Sequence, residues 1–148
     1  MDRLDKLFEM QASLNDNIFK KKDIRDSCGY DLKTKGFAGD NSSGVRIGPN
    51  SMVNKWLRNF LDALDDESRE LREELLWKWW SKDTLNIQNI RVEIIDILHF
   101  WISLAMTSGM TADKVFDIYV QKNEVNLKRQ EDSYSKENKN ESDNKNIK

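Results

Sequence analysis

Several residue types are scarce in this sequence, and each scarcity excludes a class of protein. Its 148 residues include one cysteine, Cys28, which excludes an intramolecular disulfide framework and a four-cysteine zinc site. They include one histidine, His99, which argues against a zinc site because such sites are built mainly from Cys and His. There is a single proline, and no apolar–polar alternation is long enough for a half-buried strand. The sequence therefore predicts an all-α protein of a reducing cytoplasm.

An excess of charge of one sign is also lacking. The chain has 24 Lys and Arg residues against 26 Asp and Glu residues, which leaves a net charge of −2. Such a balance gives no broad attraction to nucleic acid or to an anionic membrane. Charged residues also interrupt the longest apolar segment, residues 90–106, and the N-terminus has no signal-peptide layout. We therefore predict a cytoplasmic protein with neither nucleic acid nor a membrane as its partner.

Four segments carry apolar residues at helical spacing. They predict helices over about residues 2–20, 51–80, 87–107 and 111–129, within one domain that spans residues 1–134. The glycine-containing stretch 21–48 predicts a flexible loop, either a lid or plain disorder. Residues 135–148 contain almost nothing apolar and predict a disordered polar tail. The third helix is apolar nearly all round, and a small domain can hardly surround it, so we expect a homodimer.

Two carboxylate pairs stand out on the second and third helices. Glu67 and Glu70 are spaced i, i+3, and so are Glu93 and Asp96, so each pair shares one helix face. The second pair lies in an apolar run, where ionised carboxylates are costly unless a positive charge offsets them. Mg²⁺ prefers such oxygen ligands. The pattern predicts a divalent metal between the two helices, whereas the first pair alone is more typical of a solvated helix face.

Two polar stripes accompany the acids. Lys122, Asn126 and Arg129 recur at i, i+4 and i+7 on the fourth helix, where they are either surface charges or a cationic stripe that faces phosphates. Gln11 and Asn15 lie on the inward stripe of the first helix, either at its solvent edge or as an amide pair that points into a pocket. Together with a carboxylate-held Mg²⁺, the cationic stripe indicates phosphoryl chemistry.

The combined motifs resemble a known family. They are E67-S-R-E70, W77-K78-W79-W80, R91-V-E93-I-I-D96-I-L-H99-F100 and K122-N-E-V-N126-L-K-R129-Q130, together with Q11-A-S-L-N15-D16 in the first helix. This set resembles the all-α nucleoside triphosphate pyrophosphatases, which include MazG-like enzymes, and it looks most like the dimeric dUTPases. The resemblance implies a four-helix-bundle-type fold, a homodimer, and Mg²⁺-dependent hydrolysis of dUTP to dUMP and pyrophosphate, with Mn²⁺ as a possible substitute.

The resemblance also implies roles for individual residues. Glu67, Glu70, Glu93 and Asp96 match metal ligands, and one of the glutamates on the second helix would orient the attacking water. Lys122, Asn126 and Arg129 match phosphate-binding residues. Lys78, in the tryptophan–lysine segment, is a further residue expected to contact phosphate. The residues implied to lie near the base and sugar are Gln11, Asn15 and Trp77.

The sequence departs from the family pattern at positions near the base. Ser81 stands where family members often carry a second lysine, and Phe60 stands where a tryptophan commonly stacks on the base, with Trp56 one turn earlier. The base therefore stays open: the enzymatic alternative is a MazG-like pyrophosphohydrolase acting on dCTP, dATP or dGTP. An alternative of another class is a non-catalytic helical dimerisation module whose acids are only solvated.

Overall fold

Four α-helices form most of the part of the chain that the structure describes. The computed structural model describes residues 2–22, 30–31, 36–37, 48–131 and 141–148. The helices are α1 (Arg3–Lys22), α2 (Met52–Glu74), α3 (Ile87–Thr107) and α4 (Ala112–Glu131). Two short strands, β1 (Tyr30–Asp31) and β2 (Gly36–Phe37), pair antiparallel with Tyr30 opposite Phe37. A C-terminal 3₁₀ helix (Glu141–Asn144) follows. The predicted all-α fold class is confirmed.

Short polar side chains start three of the helices. The Ser51 hydroxyl accepts from the backbone N–H of Asn54 at 3.1 Å, and the Asn86 amide oxygen accepts from that of Asn89 at 3.1 Å. Thr111 does the same for α4 through the N–H of Lys114 at 3.2 Å. Each cap satisfies a backbone donor that has no partner within its helix. The predicted starts of α3 and α4 are confirmed.

The turn between α3 and α4 is tight because one glycine takes a left-handed conformation. Gly109 has φ of 85°, which residues with a Cβ atom rarely adopt. The backbone N–H of Met110 then reaches the Ala105 carbonyl at 2.9 Å, and that of Gly109 reaches the Met106 carbonyl at 3.0 Å. These two bonds close the end of α3 and let α4 begin at Ala112, three residues after Gly109.

The prediction that the second helix continues to residue 80 is wrong, since α2 ends at Glu74. Leu75 is extended, with φ −84° and ψ 142°, and its N–H bonds the Arg72 carbonyl. Residues 75–80 are all exposed, so a further helical turn there would have no neighbour to pack against. Helices in proteins depend on packing more than on propensity, and this helix ends where its packing ends.

Helix α3 lies at the centre and contributes to two apolar clusters. Near its C-terminus, Phe8 of α1 packs with Ile102 and Met106 of α3 and Ala112 of α4. Further along α1, a second cluster brings together all of α1, α2 and α3; it comprises Phe19, Trp56, Phe60, Phe100 and Leu104. The two clusters hold α1 and α2 against α3 and thereby set the positions of the polar groups between them.

One face of α3 stays uncovered in the single chain. Ile94 and Ile95 are about half exposed, at 49% and 50%, and Trp101 is 38% exposed. The prediction that α3 is buried on most sides is therefore not met within one subunit, and the predicted homodimer stays a prediction. No described helix combines the length and apolar character that crossing a membrane requires. The cytoplasmic setting likewise stays a prediction.

Most of the predicted loop 21–48 and the first part of the predicted tail, residues 135–140, fall outside the described residues. Within the predicted loop 21–48, the described parts are the last two residues of α1, the strand pair and Gly48. The predicted boundary near residue 134 falls within 132–140, outside the described ranges. Residues 141–148 form the 3₁₀ helix and a short extension that contact α4.

Candidate functional site

Three carboxylates meet between α2 and α3. One carboxylate oxygen each from Glu67, Glu93 and Asp96 lies within 4.8 Å of the other two. All three side chains are partly buried. Glu93 and Asp96 share a face of α3 because they are one helical turn apart, and the packing of α2 along α3 places Glu67 opposite them. We call Glu67, Glu93 and Asp96 the acidic cluster.

Burial and neighbouring acids raise the pKa of two members of the acidic cluster. Burial raises the pKa of Glu67, and repulsion from Glu70, Asp96, Glu93 and Asp66 raises it further. Burial also raises the pKa of Glu93, with repulsion from Glu70, Asp96 and Glu74 added. Burial and the acidic neighbours thus all raise the pKa of the two glutamates. The folded chain therefore holds these acids at a cost that a bound cation would relieve.

One oxygen of the acidic cluster has no hydrogen-bond partner. Glu93 Oε2 is buried and none of the described residues donates to it. A buried carboxylate oxygen normally finds a donor, because leaving it unpaired is costly. The orphaned oxygen and the oxygen-only donor set fit a hard divalent cation such as Mg²⁺ or Mn²⁺, and they do not fit zinc.

Glu70 borders the acidic cluster without joining its three-oxygen group. It lies close enough to raise the pKa of both Glu67 and Glu93. On its other side, its Oε1 lies 3.9 Å from Nη2 of Arg69, which also pairs with Asp66 and Glu73 at 2.9 and 2.6 Å. Glu70 therefore stands between the acidic cluster and an exposed guanidinium.

Gln11 and Asn15 belong to a buried hydrogen-bond network between α1 and α3. Both residues are 5% exposed. Gln11 Nε2 donates to Asn15 Oδ1 at 2.9 Å, Asn15 Nδ2 donates to Ser103 Oγ at 3.0 Å, and His99 Nδ1 lies 2.6 Å from Gln11 Oε1. Of the two interpretations of this amide pair, the solvent edge is excluded. The pair faces α3 at His99. Asp96 lies one helical turn before His99 on the same helix.

Two residues of the cationic stripe, Lys122 and Arg129, contact the C-terminal segment. Arg129 Nε donates to Asp143 Oδ2 at 3.1 Å, with the arginine side chain only 13% exposed. Lys122 Nζ donates to Asn144 Oδ1, and Asn126 is exposed between them. Helix α4 packs mainly on α1 and on the 3₁₀ helix. Within one chain the described contacts therefore join the stripe to Asp143 and Asn144 rather than to the acidic cluster.

The tryptophan–lysine segment lies just beyond the end of α2. Trp77 is 75% exposed, and Lys78 Nζ stands 5.3 Å from the centre of its ring. Trp80 makes edge-to-face contacts with both Trp77 and Trp79, at centroid distances of 5.9 and 5.5 Å. Trp56 is different, because its ring packs against Phe19 and Phe60 in the second apolar cluster.

Comparison with known proteins identifies the family. A family model described as dUTPase matches residues 3–111, which include α1, α2, α3 and the acidic cluster. The chain belongs to the all-α dUTPase family. The recognition made from the motifs is thus confirmed.

Named relatives of this dUTPase-family protein come from bacteriophages. A dCTP pyrophosphatase of Enterobacteria phage T4 is 30% identical over an alignment of 107 residues, which covers 55% of this chain and 63% of that protein. A dCTP pyrophosphatase of Enterobacteria phage LZ5 is 32% identical over 104 residues, with coverages of 53% and 60%. The chain thus spans less than two thirds of the length of either relative. No solved structure matches the chain significantly.

Sequence reasoning missed two residues of this candidate site. Glu74 acts on Glu93 through its charge, and it follows Glu70 by four residues on the same α2 face, a spacing that could have found it. Ser103 completes the amide network, and its position four residues after His99 was the available signal. Both signals are weak alone, because charged and hydroxyl residues recur at such spacings on ordinary helices.

Proposed function

We propose that this protein hydrolyses a pyrimidine deoxynucleoside triphosphate, dUTP or dCTP, to the monophosphate and pyrophosphate with Mg²⁺ as cofactor. Membership of the all-α dUTPase family supports dUTP, and the names of the two phage relatives support dCTP equally. The observation that carries the proposal is the acidic cluster with its unpartnered Glu93 oxygen. A helical dimerisation module with solvated acids has no reason to bury such an oxygen.

Each residue of the acidic cluster has a role in this reaction. Glu67, Glu93 and Asp96 would hold Mg²⁺, or Mn²⁺ in its place. When bound, the ion neutralises phosphate charge and polarises the reacting oxygens. Glu70, beside the cluster, orients a water molecule and accepts its proton. The water oxygen forms a bond to the α-phosphorus. The bond from that phosphorus to the oxygen that bridges the α- and β-phosphates breaks, and the electron pair of the broken bond leaves with pyrophosphate.

The remaining residues bind the nucleotide. Lys122, Asn126 and Arg129 would hold the triphosphate, together with Lys78, because ammonium, amide and guanidinium groups all donate to phosphate oxygens. Gln11 and Asn15 would contact the base and sugar, and the exposed Trp77 ring offers a surface for stacking. A triphosphate that reaches Arg129 and Lys122 takes the place of Asp143 and Asn144.

Release of pyrophosphate from a panel of dUTP, dCTP, dATP and dGTP tests the proposal. We expect turnover of dUTP, dCTP or both with Mg²⁺ and loss of turnover with a chelator. Glu93→Gln should abolish activity, whereas Asp65→Asn, which removes an exposed acid of α2 outside the acidic cluster, should not. A preference for the purine nucleotides would refute the pyrimidine assignment. No turnover of any nucleotide would favour the non-catalytic module.

We further infer that the working form is a homodimer in the cytoplasm. The exposed Ile94, Ile95 and Trp101 support a subunit contact along α3, because burying exposed apolar side chains against a partner is favourable. Sedimentation should give twice the mass of 17.4 kDa. Ile95→Glu should give a monomer, whereas a wild-type monomer at micromolar concentration would contradict the inference.

A further inference from the structure

Four hydrogen bonds between α1 and α3 form a ring that begins and ends on one residue. His99 Nδ1 contacts Gln11 Oε1 at 2.6 Å, and Gln11 Nε2 donates to Asn15 Oδ1 at 2.9 Å. Asn15 Nδ2 donates to Ser103 Oγ at 3.0 Å, and Ser103 Oγ donates to the backbone carbonyl of His99 at 3.1 Å. We call these four bonds the amide ring.

With the donors and acceptors as described, the amide ring has four hydrogen bonds. If every donor and acceptor exchanged roles, which we call the reverse direction, only three of the bonds could form. The Ser103 hydroxyl has one proton, and giving it to the His99 carbonyl leaves Oγ as an acceptor for Asn15. Asn15 must then turn its oxygen to Gln11, which must turn its own oxygen to His99. In the reverse direction the Ser103 proton would go to Asn15, and the bond to the His99 carbonyl would be lost.

The direction of the ring decides which imidazole nitrogen carries the proton. Gln11 Oε1 can only accept, so His99 must donate from Nδ1, and Nε2 of the neutral ring keeps its lone pair. In the reverse direction Gln11 would present its NH₂ group, and the proton of His99 would lie on Nε2. The histidine tautomer and the orientation of both amides are therefore one coupled choice.

We infer that His99 is a positioning residue that selects between uracil and cytosine by fixing the orientation of the Gln11 and Asn15 amides. This inference rests on the proposed function, in which the two amides contact the base. The 4-position of uracil is an oxygen that accepts, and that of cytosine is an amino group that donates. Turning an amide by 180° exchanges a donor for an acceptor, so the orientation determines which of the two bases pairs well.

The two buried amides depend on the hydrogen bonds of the amide ring. His99 is exposed and can therefore be substituted. Gln11 and Asn15 are 5% exposed and Ser103 is fully buried, so water does not readily substitute for a lost bond. His99 is exposed and lies at the edge of the network. Asparagine and leucine are close in shape, but only asparagine offers an N–H near the position of Nδ1. His99→Asn and His99→Leu are therefore a matched pair that isolates the donated hydrogen bond.

The first test reads the tautomer directly. His99 is the only histidine in the chain, so imidazole ¹⁵N resonances of the labelled full-length protein come from this ring alone. At about pH 9, where a histidine side chain is neutral, we expect the Nδ1–H tautomer to dominate. Ser103→Ala, which removes the anchor of the ring, should shift the population toward Nε2–H. A dominant Nε2–H tautomer in the wild-type protein would overturn the inference.

The second test reads base discrimination. The measured quantity is the ratio of kcat/KM for dCTP to that for dUTP, with Mg²⁺ present. We expect His99→Leu to move this ratio toward one by about three- to ten-fold, the effect of one hydrogen bond, mainly through KM. His99→Asn should keep the wild-type ratio. Equal losses for both nucleotides in His99→Leu would show a merely structural role and would overturn the inference.

The two tests also separate the inference from the proposed function. If the wild-type protein hydrolyses neither dCTP nor dUTP, the proposed function fails and the selective role of His99 fails with it. The direction of the amide ring is then still decided by the tautomer. If the wild-type protein is active and His99→Leu leaves the ratio unchanged, only the inference about His99 fails.

Discussion

Carboxylate oxygens of Glu67 on α2 and Asp96 on α3 lie within 4.8 Å of each other, and an oxygen of Glu93 lies within the same distance of both. Repulsion from Asp96 and Glu93 contributes to the raised pKa of Glu67. Such a contact between acids is unfavourable without a cation. Stability and activity should therefore respond in opposite directions when the acidic cluster is altered.

Glu67→Gln should stabilise the metal-free protein while it inactivates the enzyme. The substitution removes one negative charge from the acidic cluster, so the thermal unfolding midpoint in a chelator should rise by a few degrees. Loss of a metal-binding carboxylate should lower kcat/KM by at least about 100-fold. Calorimetry and a pyrophosphate assay measure the two effects. Asp65→Asn is the control and should change neither, and a less stable Glu67→Gln protein would contradict the prediction.

The stability of the metal-free protein should carry a pH dependence of known sign. Glu67 and Glu93 have pKa values above the ordinary 4.5, so the folded state keeps their protons after the unfolded state has lost them. Their contribution to the free energy of unfolding is therefore full below pH 4.5 and is lost as pH rises through the folded-state pKa values. Urea titrations in a chelator measure it. Glu67→Gln and Glu93→Gln should each remove part of this decrease, and parallel curves for variant and wild type would refute it.

Mg²⁺ should stabilise the folded protein through the acidic cluster. A ligand at 100 times its Kd adds about 2.7 kcal/mol to the free energy of unfolding when it binds only the folded state. Thermal unfolding at increasing Mg²⁺ or Mn²⁺ should therefore show a rising midpoint. In Glu93→Gln the midpoint should stay constant. An equal rise in that variant would place the cation elsewhere on the protein.

Asp143→Asn should increase the apparent affinity for the nucleotide. Arg129 pairs with Asp143, so a phosphate group must displace that carboxylate before it reaches the guanidinium. Removing a partly exposed ion pair should lower KM by about two- to five-fold and leave kcat unchanged. Steady-state kinetics measure this effect. Asp117→Asn removes an exposed carboxylate of α4 and serves as the control, and an unchanged KM in Asp143→Asn would show that substrate does not compete with Asp143.

Phe19→Ala should destabilise the protein far more than Ile18→Ala. Phe19 is 4% exposed and packs against Trp56 at a centroid distance of 4.8 Å, whereas its neighbour Ile18 is 45% exposed. We expect a loss of about 3–5 kcal/mol for Phe19→Ala, as for other large-to-small changes in a core, and below about 1 kcal/mol for Ile18→Ala. Chemical denaturation of both variants provides the measurement. Similar losses would mean that a partner subunit covers Ile18.

Local sequence is enough to predict the helices wherever nearby residues set their ends. Helices α3 and α4 begin where the apolar spacing predicts, at the caps Asn86 and Thr111, and Gly109 separates the two helices. The i, i+3 spacing of Glu93 and Asp96 also determined that both face one side of α3. These features depend on residues within one or two turns, which the sequence contains in full.

The end of α2 and the contacts between distant side chains depend instead on how the helices pack. Trp77 and Trp80 lie outside α2 because the packing against α3 stops before them, and no local signal shows where a neighbouring helix begins. Glu67 joins Glu93, and Gln11 joins His99 across 88 residues, through the packing of α1 and α2 on α3. Such contacts depend on the angle and register between helices, which many side chains set jointly. The metal-binding role that the sequence predicts for the acids stays a prediction, and the fold alone revealed that the amides bond to His99 and the α4 cations to the C-terminal segment.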